Sequence, residues 1–144
     1  MSSPQQDRLL HDKFAIAQRI AIYNHTLDQG RYDAFLKCWC DDGVFEGAGV
    51  GKDGILVYLQ THFARFRSPL HGLKHFTVNI VSHVSGDLAT SSSHLQAVCT
   101  ESRGARIVLT GRYEDELRRV DGAWLFARRK LYKDMPLKAV AAQN

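Results

Sequence analysis

The chain predicts an α+β fold, with N-terminal helices packed in a strongly curved, mainly antiparallel sheet. Two observations carry this. Apolar residues recur at helical spacing over roughly the first 66 residues, and from Leu73 onward the period changes to two. The alternating segments are joined by short turns rich in Gly and Asp, which link strands into antiparallel hairpins. Helices followed by a run of such strands indicate an α+β domain. Long strands bent around a helix enclose a cone-shaped cavity, and small-molecule sites favour such concave places.

Residues 1–11 are polar and expected to fray. Asp12 is suited to cap a helix that runs to Asp28, with Phe14, Ala17, Ile20, Ala21 and Leu27 at helical spacing. Gln29-Gly30 ends it, since Gly30 tolerates the left-handed conformation found just past a helix. A short helix over Arg31–Trp39 presents Tyr32, Phe35, Leu36 and Trp39 on one face. Asp41-Asp42-Gly43 reads as a turn, and Val44-Phe45-Glu46 opens the first strand. Gly47, Gly49 and Gly51 are not a dinucleotide fingerprint, because no strand–turn–helix unit surrounds them. They indicate a flexible loop or a kinked strand. A third helix from Lys52 to Phe66 carries Ile55, Leu59, His62, Phe63 and Phe66, and Ser68-Pro69 stops it.

Leu73–Val84 is the next strand, with Phe76, Val78 and Ile80 on one face and His75, Thr77 and Asn79 on the other. Gly86-Asp87 turns into the strand Leu88–Thr100, and Ser102-Arg103-Gly104 turns into Ala105–Arg119. Asp121-Gly122 is a hairpin signal before the last strand, Ala123–Tyr132. The expected organisation is a single domain over 12–134 with a short tail over 135–144.

With 144 residues, 44% hydrophobic and 24% charged, the chain can build one substantial core. No cationic leader with an apolar stretch and no long apolar run is present, so neither a secretory signal nor a membrane span is expected. Cys38, Cys40 and Cys99 form an odd set without framework spacing, which indicates reduced thiols and a cytoplasmic setting. The net charge of +4 comes from bases interleaved with acids, as in Arg112-Tyr113-Glu114-Asp115-Glu116. A nucleic-acid surface would cluster its bases, so none is expected. His71 and His75 are four apart but approach a strand, without carboxylate or Cys at ligand spacing. Neither a metal nor a cofactor is expected.

The stretch Tyr23–Asp28 places a phenol and a carboxylate near the inward face of the first helix. A buried carboxylate costs several kcal/mol without a partner, so an inward Asp28 needs a donor. His75 is the candidate. Each residue also has a plainer use: Asp28 as a helix-end turn residue, His75 as a structural histidine, Tyr23 as a core phenol. On an ideal helix Tyr23 and Asp28 lie about 140° apart, so they would flank a cavity rather than share a stripe. Phe45, Tyr58, Phe63 and Trp39 are expected to wall the pocket. Arg129 reads, from the residues alone, as a surface arginine paired with an acid of a neighbouring strand.

Several stretches resemble the SnoaL-like branch of the nuclear-transport-factor-2-like (NTF2-like) superfamily. They are Tyr23…Leu27-Asp28-Gln29-Gly30-Arg31-Tyr32-Asp33, Trp39-Cys40-Asp41-Asp42-Gly43-Val44-Phe45-Glu46-Gly47, Lys74-His75-Phe76-Thr77-Val78-Asn79-Ile80, and Gly111-Arg112-Tyr113 through Trp124-Leu125-Phe126-Ala127-Arg128-Arg129. The resemblance implies a cone-shaped fold, commonly dimeric. Its cofactor-free eliminating enzymes are scytalone dehydratase, bile acid 7α-dehydratase and hexachlorocyclohexane dehydrochlorinase. They carry an Asp and a His where Asp28 and His75 stand. Tyr23 resembles the tyrosine of the bile acid enzyme, and Arg129 falls where the dehydrochlorinase has a pocket arginine. The second acid or histidine of the dehydratases is missing, since that region reads Val98-Cys99-Thr100. Gly47 stands where ketosteroid isomerase has its base.

The resemblance implies a lyase acting on a small, largely apolar, cyclic molecule, with His75 as base, Asp28 as its partner and Tyr23 as polarising donor. An isomerase or polyketide-type cyclase would share the first proton abstraction. A non-catalytic binding or structural module is the alternative of another class. A homo-oligomer, dimer or trimer, is the expected assembly.

Overall fold

A computed structural model describes residues 3–63 and 72–135. The first helix, α1, spans Pro4–Asp28 and begins two turns earlier than the apolar spacing indicates. Ser3 accepts a hydrogen bond from the Gln6 backbone N–H at 3.2 Å, and the Gln6 side chain accepts from the Ser3 N–H at 2.9 Å. Two orphan donors of the first turn are thus satisfied, and Pro4 has no N–H to lose. Asp12 is therefore not a cap. It is buried inside the helix and accepts from Arg119 at 2.7 and 2.9 Å and from the Trp124 indole at 3.2 Å. The buried face runs Ile16, Ile20, Tyr23, Leu27, whereas Phe14 is exposed. Gly30, at φ 65°, leads the chain out.

The second helix, α2, is only Tyr32–Leu36, because the backbone at 38–39 is taken by the sheet. Phe126 N–H donates to the Cys38 carbonyl at 2.8 Å, and Trp39 starts strand β1, Trp39–Phe45. The expected Asp41-Asp42-Gly43 turn is instead an irregularity within β1, where its register against the last strand shifts between Trp39 and Val44. Gly43 is required there, since a Cβ would meet the Trp39 ring and the Cys40 carbonyl at 3.0 Å. Strand β2, Gly49–Val50, then leads into α3, Gly51–His62. At Gly49 a Cβ would stand 2.4 Å from the Gly54 backbone, so the glycine lets strand and helix backbones touch. α3 closes at His62 with Phe63 as its C-cap, short of the end expected at Phe66, because the Phe63 N–H donates to the Leu59 carbonyl and completes the last turn. Ser68-Pro69 and His71 lie outside the described residues.

Four long strands follow: β3 Leu73–Ser85, β4 Leu88–Glu101, β5 Gly104–Val120 and β6 Ala123–Lys133. The sheet order is β2-β1-β6-β5-β4-β3, antiparallel except for the parallel pair β1–β6. In β3 the expected alternation breaks at Asn79, whose φ of 54° sits in a bulge between Val78 and Val81. Before it Leu73, His75 and Thr77 face the helices and Phe76 and Val78 are half exposed; after it Ile80 and Val84 reach the core. Phe76 is thus on the outer face of the sheet. The core lies between α1, α3 and the inner sheet face. No helix among the described residues is long and apolar enough to cross a membrane.

Candidate functional site

A cavity of about 440 Å³ opens between the inner sheet face and the helices, and Tyr23, Phe45, Tyr58, Phe63, His75 and Tyr113 all line it. The solvent end carries Glu101 and Arg106, joined as an ion pair at 2.8 Å, while the opposite end is aromatic. A larger groove, about 660 Å³, runs over Val44, Val84 and Leu88 and touches neither Asp28 nor His75.

Asp28 is the last residue of α1, and His75 is the third residue of the edge strand β3. The carboxylate clasps the histidine twice. Its Oδ1 lies 2.6 Å from the imidazole Nδ1, and its Oδ2 accepts the His75 backbone N–H at 3.0 Å. Both side chains are nine-tenths buried. The backbone bond fixes the carboxylate relative to the strand, so the ring bond inherits a defined orientation. Asn24, one turn back on α1, donates to the Thr77 hydroxyl at 2.9 Å and ties the same helix end to the same strand. In the neutral ring a proton on Nδ1 is shared with the carboxylate and Nε2 keeps its lone pair, the arrangement of an oriented general base. The Phe63 ring meets the imidazole edge-on at 6.4 Å.

Tyr23 packs against Phe35 at 4.5 Å and Phe126 at 5.4 Å, within an aromatic cluster that closes the inner end. Burial pushes its phenol well above the ordinary range, outweighing the Arg129 charge that favours ionisation. It is held as a neutral donor.

Arg129 and Trp39 are not at the wall. Arg129 is fully buried on β6, its Nε and Nη2 donating to the two carboxylate oxygens of Asp115 on β5 at 2.7 and 2.8 Å. The expected acid on a neighbouring strand is there, but the pair is inside the protein rather than at the surface. Its guanidinium carbon lies 4.3 Å from the Tyr23 ring centre, 3.8 Å from Tyr113 and 4.2 Å from Phe126. Burial works against its charge, yet the Asp115 charge and hydrogen bonds win and hold its pKa above the usual arginine range. Trp39 stacks behind Phe45 at 5.7 Å and supports the wall from outside.

Tyr113 is the lining residue that the sequence pattern concealed. Arg112–Glu116 reads as a solvated charged run, but alternation sends Tyr113, Asp115 and Leu117 inward and Arg112, Glu114 and Glu116 outward. Glu46 is outside the cavity, paired with Arg128 and Lys130. Among the described residues no three His, Cys, Asp or Glu side chains come together as a metal-ligand set.

The sequence profile described as a SnoaL-like domain matches residues 8–130. The chain belongs to the SnoaL-like domain family. Among solved structures, this SnoaL-like protein is similar to a variant of a Mycobacterium tuberculosis protein of unknown function, at 27% identity over 89% of this chain and 79% of that one, TM-score 0.79. It is similar to a candidate scytalone dehydratase from Novosphingobium aromaticivorans, at 28% identity over 90% and 89%, TM-score 0.77. It is also similar to an NTF2-like protein with a cystatin-like fold from the same organism, at 27% identity over 96% and 90%, TM-score 0.78. No curated protein matches it. The α+β fold of this SnoaL-like chain, helices against a curved open sheet, is that of its NTF2-like neighbours.

Proposed function

We propose that this SnoaL-like protein is a cofactor-independent lyase that removes water, or a similar leaving group, from a small, largely apolar, cyclic substrate. The observation that carries the reading is the double clasp of Asp28 on His75 at the wall of an aromatic cavity. The Nε2 lone pair of His75 takes a proton from the carbon beside a carbonyl, and the C–H electron pair moves into the enolate. Asp28 stabilises the imidazolium so formed. The enolate then collapses to a carbon–carbon double bond and expels the neighbouring hydroxyl, which leaves as water with the proton returned by His75. The phenol of Tyr23 belongs to the cavity end where negative charge on oxygen has to be met. Similarity to a candidate scytalone dehydratase supports the same class of chemistry. An isomerase or cyclase would share the first step and differ only in where the enolate goes.

The test needs no knowledge of the leaving group. Cyclic ketones incubated with the protein in D2O exchange their α-protons if the dyad is a carbon-acid base, and NMR reads the loss of signal. His75→Ala and Asp28→Asn are expected to lower the exchange rate about a hundredfold or more while circular dichroism is unchanged. Binding of the ketones without exchange by the wild type would instead describe a ligand-binding module.

A further inference from the structure

The charges along the cavity wall do not cancel. Among the described lining residues Glu101 is the one carboxylate, and Arg106 takes it at 2.8 Å. Asp28 lies behind His75 and is spent on it. The charge left over is Lys133, the last residue of β6. Strand parity aims it at the cavity, since Arg129, Leu131 and Lys133 oppose Asp115, Tyr113 and Gly111 in three successive pairs on the inner face. The first pair is a buried ion pair and the second is apolar wall. At the third, β5 offers only a glycine, so nothing opposite covers or neutralises the lysine. Its side chain makes no ion pair or hydrogen bond among the described residues. Lysines at inward strand positions are rare and normally paired. Lys133 is exposed and yet lines the cavity, so its ammonium stays hydrated at the rim while its stem follows the wall. His62 adds to the same sign: it ends α3, where the helix dipole favours a cation, and lies flat on the Tyr58 ring at 4.9 Å.

We propose that the cavity takes a ring compound bearing a carboxylate, with its rings against the aromatic inner end and its carboxylate on the Lys133 ammonium at the rim. A flexible point charge with three N–H donors suits an anion held at an opening. An uncharged ligand would leave that charge unanswered, so Lys133 sets both the class of compound and the direction in which it lies. No covalent bond forms, and the carboxylate is a handle remote from the reacting carbon. This deepens the lyase reading and rests on it only for the carbon that loses its proton to His75.

Calorimetry with para-tert-butylbenzoate and its uncharged isostere para-tert-butylbenzamide tests this separately from turnover. The wild type is expected to bind the carboxylate about tenfold or more tightly than the amide. Lys133→Gln should erase that preference and leave the amide affinity as it was, and Lys133→Arg should keep most of it. Lys130→Gln removes the same charge from the outer face, where Glu46 pairs with it, and should leave the preference intact. His75→Ala should leave it intact too. A preference without α-proton exchange would therefore remove the lyase reading and keep the carboxylate site, and exchange without a preference would do the reverse. The inference is overturned if the wild type does not prefer the benzoate or if Lys133→Gln keeps the preference. It is also overturned if Lys130→Gln lowers the preference as much, which would make it an effect of net charge, or if Lys133→Gln weakens both probes equally, which would make Lys133 a packing residue.

Discussion

Arg129 shows how one residue type in one pattern supports three different uses. A strand arginine next to Arg128 reads as surface, and by family likeness it reads as a pocket residue, yet the fold buries it completely against Asp115. What decides is the parity of β6: Arg128 points outward with Glu116 opposite, and Arg129 inward with Asp115 opposite. Removing one partner leaves an uncompensated buried charge. Arg129→Met is therefore expected to cost about 3–5 kcal/mol in urea unfolding, and the double replacement of Arg129 and Asp115 by apolar residues less than that. The phenols above the pair carry a pH signature of their own. Tyr23 and Tyr113 have native pKa values raised by burial, so they stay neutral in the fold while an unfolded chain ionises above about pH 10. A raised native value means stability that is intact below the unfolded value and lost as pH rises beyond it. Tyr113→Phe should flatten the alkaline fall of the melting temperature.

At the scale of elements, α1 is the organising piece, and its two ends were unequally legible. The C-terminal end, Asp28-Gln29-Gly30, follows from the glycine and the end of the apolar pattern, and β3 brings His75 to it. The N-terminal half was hidden because its first two turns have little buried face: Leu9, Leu10 and Phe14 are all exposed. The capping residues Ser3-Pro4 and Gln6 were the available signal, local in sequence and independent of packing. Asp12 shows the opposite difficulty, since its partners are more than a hundred residues away. The hydrogen bond from Arg119 is the main cause that holds its carboxyl below the usual range, over the opposing effect of burial. A depressed native pKa gives stability that is present above the unfolded value and disappears as pH falls through the native one. Asp12→Asn is expected to lower the melting temperature at neutral pH and to lose less of it between about pH 5 and pH 2 than the wild type does.

For the whole molecule, the switch from helical to alternating period announced the α+β class, and the hairpin turns at Gly86-Asp87 and Asp121-Gly122 set the strand order of β3–β4 and β5–β6. The cavity could be foreseen only in kind. Which side chains line it depends on the Asn79 bulge, which reverses the inward face of β3 half-way along, and on the β1 irregularity that carries Trp39 behind the wall. Short-range patterns do not encode such shifts of register, because one residue of slip exchanges the two faces of a strand. In the folded chain a helix end and an edge strand meet at one carboxylate, and the curved sheet supplies an aromatic cavity around the imidazole so held.

The measurement that bears most directly on the Asp28–His75 pair as an oriented base is a nitrogen-15 NMR spectrum of the His75 ring, in the wild type and in Asp28→Asn. With Asp28 bound to Nδ1, the neutral ring is expected to carry its proton on Nδ1, with Nε2 bare, and to lose this single tautomer in the variant. A neutral ring protonated on Nε2, or the same tautomer mixture in both proteins, would contradict that role, because the nitrogen that must accept a substrate proton would not be the one that Asp28 leaves free.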